Sequence, residues 1–143
     1  MPHACAFAAS GVIGNELFIA GGRGVGDQPL STLQIYDFTT RTWRLGAQLP
    51  NAQHGAYGIV VGDGKLYLVS TKTHNMQVYD VQSNTWTEQQ GPPNQDRIMM
   101  NAFAHNGRVV AVNMNRTAFQ CGSGSDSNWS RFDLDVVPGI IEG

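Results

Sequence analysis

Along this chain, short apolar runs alternate with pairs of residues that accept tight turns. LFIA at 17–20, LYLV at 66–69 and VVAV at 109–112 are each bounded by polar or small residues. Ahead of each run stands a turn pair: Gly14-Asn15, Asp63-Gly64 and Asn106-Gly107. Such pairs between apolar runs predict hairpins, because they tolerate positive φ at little cost. Ahead of each pair lies a stretch of small and apolar residues: ACAFAASGV, HGAYGIVV and RIMMNAFA. Runs of this length without a 3.6-residue period read as strands buried on both faces.

A second pair of strands follows in each unit. LQIYD at 33–37 and MQVYD at 76–80 match almost letter for letter, and TAFQCG at 117–122 is a weaker third copy. Tyr36 and Tyr79 are 43 residues apart, and so are Trp43, Trp86 and Trp129 in succession. Each unit ends at proline, with Pro50, Pro92-Pro93 and Pro138, and Met1-Pro2 looks like the tail of the same junction. Three units of four strands are therefore expected. A single four-stranded meander cannot hide both faces, whereas like units stacked radially can. In the repeated string, Asp37 and Asp80 sit where a carboxylate caps the turn that follows, which we favour over a catalytic acid. Trp43 and Trp86 open the return strand, where a large ring can cover a neighbouring sheet.

Composition sharpens the picture. The 143 residues are about one domain's length, 41 % are hydrophobic and only 14 % charged, with 17 glycines, a balance suited to strands and reversals rather than helices. A net charge of −2 without any basic run argues against nucleic acid as a partner. Cys5 and Cys121 are too few for a disulfide framework and form no metal-ligand spacing. No apolar run reaches the roughly 18 residues that cross a membrane. The N-terminus lacks a basic leader, so a cytoplasmic location is expected. The sequons at Asn115 and Asn128 carry little weight without one.

An aliphatic strand ending in Gly21-Gly22, then Tyr36-Asp37, then Trp43 resembles the kelch repeat. The second copy keeps Tyr79-Asp80 and Trp86 but has Ser70-Thr71 at the glycine pair; the third keeps only Trp129, with Asn113-Met114 and Gly122-Ser123 at the other landmarks. The resemblance implies an all-β fold of three four-stranded antiparallel blades, at about 3–50, 51–93 and 94–138, forming one domain over 1–143. It also implies that the loops between second and third strands share a rim with the connections between blades, and that this rim binds. Here the rim comprises Arg23, Asp27, Gln28, His54, Lys72, His74, Asp96, Arg97, Asn115 and Arg116. Arg23, Lys72, Arg97 and Arg116 would meet an anionic partner.

Competing motifs are weak. GGRGVG at 21–26 places its third glycine one residue early for a dinucleotide loop and precedes no amphipathic helix. His3, His54, His74 and His105 show no metal-binding spacing, and His105 belongs to the opposite rim. Neither a nucleophile elbow nor the copper or iron constellations of some kelch-like enzymes can be traced, so no catalytic residue, metal or cofactor is expected. The expected function is a non-catalytic interaction module presenting its rim to a protein or small ligand. The alternatives are a propeller enzyme of the sugar-isomerising, sialic acid mutarotase-like type, and a fragment of a larger kelch protein. Propellers close with about 4–8 blades, so three make a half propeller with two apolar ends. Closure to six blades by homodimerisation is the expectation, with the degenerate third copy a possible capping blade.

Overall fold

The computed structural model describes residues 1–70, 75–92, 99–113, 117–121 and 129–133. Twelve strands form three antiparallel four-stranded sheets. The first contains β1 (Ala9–Ile13), β2 (Glu16–Ala20), β3 (Leu33–Asp37) and β4 (Thr42–Leu45). The second contains β5 (Tyr57–Val60), β6 (Lys65–Val69), β7 (Asn75–Asp80) and β8 (Thr85–Gln90). The third contains β9 (Met99–His105), β10 (Arg108–Asn113), β11 (Thr117–Cys121) and β12 (Trp129–Asp133). Among the described residues the sole helical piece is a single 3₁₀ turn at Val25–Asp27.

The turn chemistry follows the sequence. Gly14, Gly64, Asn106 and Gly107 have φ of 59°, 77°, 51° and 72°, the left-handed values that tight hairpins require. Asp37 Oδ1 accepts from the N–H groups of Thr39 at 2.8 Å and Thr40 at 3.3 Å, and Asp80 Oδ1 accepts from Gln82 N at 2.9 Å. These carboxylates are spent on the backbone of their own turns, as their repeated position predicts.

The sheets stack in chain order. One face of the first sheet, with Phe18, Ala20, Leu33 and Ile35, packs on Leu66, Leu68 and Tyr79 of the second. The second sheet's other face, with Ile59, Tyr67, Val69, Met76 and Val78, packs on Ala102, Val109 and Ala111 of the third. Each buried aliphatic side chain contributes roughly 1.5–3 kcal/mol relative to exposure. The innermost strands approach closely: a Cβ on Gly58 would lie 2.3 Å from Ser10 O. At the outer strands, the tryptophans tie each sheet to the one before. Trp86 Nε1 donates to Ala47 O and Trp129 Nε1 to Gln90 O, both at 2.8 Å.

One device recurs inside the stack. Gln34 and Gln77 are 0 % and 3 % exposed, although both are polar. Gln77 Oε1 accepts from Asn51 N at 3.0 Å, while its Nε2 donates to Asn51 O at 3.1 Å. Gln34 holds His3 in the same way, at 2.8 and 3.0 Å. Each amide replaces a missing strand partner for the segment entering its sheet, so a buried polar group is satisfied at both ends.

The third sheet departs from the 43-residue period. Tyr36 and Tyr79 pair with Trp43 and Trp86, but it is Cys121 that pairs with Trp129. Gln34 and Gln77 lie opposite Ile19 and Leu68, yet Phe119, not Gln120, lies opposite Ala111, the residue 43 beyond Leu68. The third copy of the repeated string is thus one residue out of step, and in a strand a one-residue slip exchanges the two faces.

Candidate functional site

The double glycine builds the rim. Gly21 and Gly22 have φ of 69° and 101°, and a Cβ on Gly21 would sit 2.4 Å from Gln53 O. With no side chains in the way, three segments meet. Gly22 N donates to Gln53 O at 2.8 Å, Leu30 N to Gly22 O at 2.8 Å, and Gln53 N to Leu30 O at 3.0 Å. The N-terminal segment joins from the other side, with Ala6 and Arg23 exchanging backbone bonds at 3.0 and 2.7 Å and Gly55 N donating to Phe7 O at 2.9 Å. The loop between β2 and β3 and the connection between the first two sheets therefore lie on one rim.

Four of the predicted rim residues fall within the described chain. Arg23 is half-buried, its Nη1 3.1 Å from Asp27 Oδ1 and its guanidinium carbon 5.3 Å from the Phe7 ring centre. Asp27 is exposed at φ 66° and Phe7 adopts φ 56°, so two non-glycine residues of this rim hold left-handed backbone. Gln28 is exposed and its carbonyl receives Gly24 N at 2.9 Å, closing the loop. His54 is half-buried in the connection beside Gln53. The structure brings Arg23 and Asp27 together and sets the segments carrying Gln28 and His54 beside them. Lys72, His74, Asp96, Arg97, Asn115 and Arg116 lie outside the described residues. His105 is the last residue of β9, beside the β9–β10 turn and at the opposite end of that strand pair from the β10–β11 loop.

A shallow depression of about 320 Å³ opens on this rim, lined by Ala4, Cys5, Ala6, Arg23, Gly24 and Val25. Its walls are mostly small and apolar, with one cation at the edge. Three buried polar atoms of this rim have no hydrogen-bond partner: Arg23 Nε, on a residue lining the depression, and Thr32 Oγ1 and Gln53 Nε2, on residues whose carbonyls receive Gly21 N and Gly22 N. Arg23 Nε and Gln53 Nε2 are pure donors, and the Thr32 hydroxyl can donate as well. An unpartnered buried donor costs roughly 1–3 kcal/mol, so a ligand oxygen accepting from one recovers that cost. Thr32 and Gln53 stand in the loops 23–32 and 51–54 that the resemblance assigns to the rim; that their side chains are buried without a partner was not legible in the sequence.

The titrating groups with shifted pKa lie elsewhere. The Arg44 guanidinium is raised above its ordinary value, chiefly by its hydrogen bond to Glu16, with which it forms an exposed ion pair. Burial pushes the Tyr79 phenol up, and its hydroxyl donates to Asn84 Oδ1 at 2.6 Å. Both belong to the turn and sheet framework. No group of three or more potential metal ligands occurs among the described residues, and no helix there is long and apolar enough to cross a membrane.

The kelch motif matches residues 4–50, which run from the N-terminal segment through β4 and contain the glycine pair, Tyr36-Asp37 and Trp43. Human Kelch-like protein 34 is 34 % identical over 62 residues, 43 % of this chain and 10 % of that protein. The solved structure of YjhT superposes with a TM-score of 0.72 over 93 % of this chain and 53 % of that one, at 13 % identity. Repeat and sheet order define an all-β protein of three four-stranded antiparallel sheets, the first of them built on a kelch motif. The first repeat is a kelch motif, and the fold over nearly the whole chain is like that of YjhT. It spans about a tenth of the human relative and about half of YjhT.

Proposed function

We propose that the chain is a non-catalytic kelch-type interaction module whose rim binds a protein segment or small ligand rich in hydrogen-bond acceptors, carboxylates above all. The observation that carries this reading is the set of three unpartnered buried polar atoms on the rim, Arg23 Nε, Thr32 Oγ1 and Gln53 Nε2, the first of them on a residue that lines an open depression. Loops that bind are best held by rigid scaffolds, and the glycine-centred backbone bonds hold this one. Lys72, His74, Asp96, Arg97, Asn115 and Arg116 complete the rim in this proposal.

The test is a titration of the isotopically labelled protein with acidic peptides and acidic sugars, followed by amide shifts. We expect shifts confined to the rim loops at 22–32, 51–55, 71–75, 94–97 and 115–116, and at least tenfold weaker binding in an Arg23→Ala, Arg97→Ala double variant. Shifts elsewhere, or unchanged affinity, contradict the rim. Turnover of sialic acids in the same samples would instead support the sugar-isomerising alternative and overturn the non-catalytic part. Free Cys5 accords with a reducing compartment, and the cytoplasm is the setting proposed. In this reading the three sheets are half of a six-bladed ring completed by a second copy; a part of a larger kelch protein is the competing assembly.

A further inference from the structure

The first two sheets repeat each other closely enough to reveal what each face is built to meet. On the second sheet, Leu66, Leu68 and Tyr79 are at most 2 % exposed because the first sheet lies on them. Register sets Leu17, Ile19 and Tyr36 in the same places on the first sheet, with Trp43 in the place of Trp86. There all four are only half-buried, and Val12 and Leu45 on the same face are 52 % and 55 % exposed. Among the described residues no sheet packs on this face. An apolar face that is dry on one sheet and bare on its twin lacks a neighbour rather than a function.

The tryptophans specify that neighbour further. Trp86 donates to Ala47 O and Trp129 to Gln90 O. Each acceptor stands four residues beyond the tryptophan of the preceding sheet. Among the described residues the Trp43 indole N–H has no hydrogen-bond partner. Four residues beyond Trp129 stands Asp133, the last residue of β12. The outward face of that third sheet carries the cross-strand pair Phe103 and Val110, of which Phe103 is 44 % exposed and Val110 is already buried. The first sheet thus leaves one half of such a joint bare, while the third, at the other end of the stack, carries an exposed phenylalanine and the position of the next acceptor.

We propose that the bare face of the first sheet docks the third sheet of a second copy of this chain, with Trp43 Nε1 donating to Asp133 O of that copy. The inference rests on the half-ring reading and gives it a surface. A head-to-tail joint repeated by a twofold axis makes two identical contacts and a ring of six sheets, within the range at which such rings close.

Sedimentation velocity of the whole chain tests it. We expect a species of twice the 15.5 kDa chain mass. Leu17→Asp with Ile19→Asp is expected to give a monomer that keeps its β circular dichroism, and Trp43→Phe, which keeps the ring and loses the N–H, about fivefold weaker dimerisation. A photo-crosslinker at Val12 should attach to residues 99–133 of another copy, which decides the matter even if the double aspartate variant unfolds. A monomeric wild type, a folded aspartate variant that still dimerises, or crosslinks outside the third sheet would each overturn the proposal. Rim binding by a monomer would leave the interaction reading intact, so the two fail separately.

Discussion

Replacing Gln77 with alanine removes both hydrogen bonds that hold Asn51 as the chain enters the second sheet. Each such bond contributes roughly 1 kcal/mol net, and the truncated amide leaves a small void, so the expected loss is about 2–3 kcal/mol. Gln34→Ala deletes the same pair of bonds, but to His3 in a largely exposed terminal segment. A terminal segment can fray and return its N–H and C=O groups to water, so that loss is expected to be about 1 kcal/mol. The Asn51 segment is tethered on both sides and cannot withdraw without disturbing the rim. Urea unfolding followed by tryptophan fluorescence gives both values, with the midpoint falling at unchanged slope. At about 4 °C per kcal/mol, the Gln77 variant should melt roughly 8–12 °C lower. A Gln77→Ala loss below about 0.5 kcal/mol, or one equal to that of Gln34→Ala, would refute the view that these amides act as strand substitutes of unequal leverage.

Three further outcomes follow from the packing. Gly58→Ala, whose Cβ would lie 2.3 Å from Ser10 O, should force β1 and β5 apart and cost more than about 3 kcal/mol by thermal melting, because backbone does not yield as a side chain does. Gly21→Ala should disturb the rim as strongly, while Gly14→Ala, at φ 59° with nothing within 4 Å of the added carbon, should cost only about 1 kcal/mol. Tyr79 has its folded pKa raised by burial, so the unfolded chain releases that proton first; stability contributed by the neutral phenol is complete below its ordinary value of 10.0 and is lost as pH rises beyond it. Tyr79→Phe should flatten the alkaline limb of a stability–pH curve, and an unaltered limb would show that another group sets it.

Much of the fold was legible because glycine pairs bounding apolar runs leave little but hairpins, and because Tyr36, Trp43 and their counterparts recur at one interval. The double glycine announced a loop, and the structure explains both positions: a Cβ on Gly21 would meet Gln53 O, and one on Gly22 would meet Ala6 O at 2.9 Å. The glutamine clamps were not legible, although Gln34 and Gln77 stand in the repeated string. Their partners are backbone N–H and C=O groups, which every residue carries, so nothing marks the far end of the bond. The slip in the third sheet was hidden for a related reason. Trp129 keeps the interval while the ladder between Ala111 and Phe119 loses one residue, and spacing between landmarks says nothing about register within them. At the rim, Arg23 and Asp27 were expected together and are together; that Thr32 and Gln53, in the loops assigned to the rim, keep unpartnered buried atoms was not legible, because burial without a partner is a property of the folded surroundings.

Two almost identical peptides offer the most direct test of the proposal that the tyrosine–tryptophan faces of the first two sheets are each kept dry by a preceding sheet, which for the first sheet belongs to a second copy. Hydrogen exchange by mass spectrometry would compare residues 33–37 with 76–80 in the wild type and in the Leu17→Asp, Ile19→Asp variant. The prediction is that 33–37 loses protection in the variant while 76–80, still covered by the first sheet, keeps it. Equal change in both peptides, or no change in either, would contradict the account.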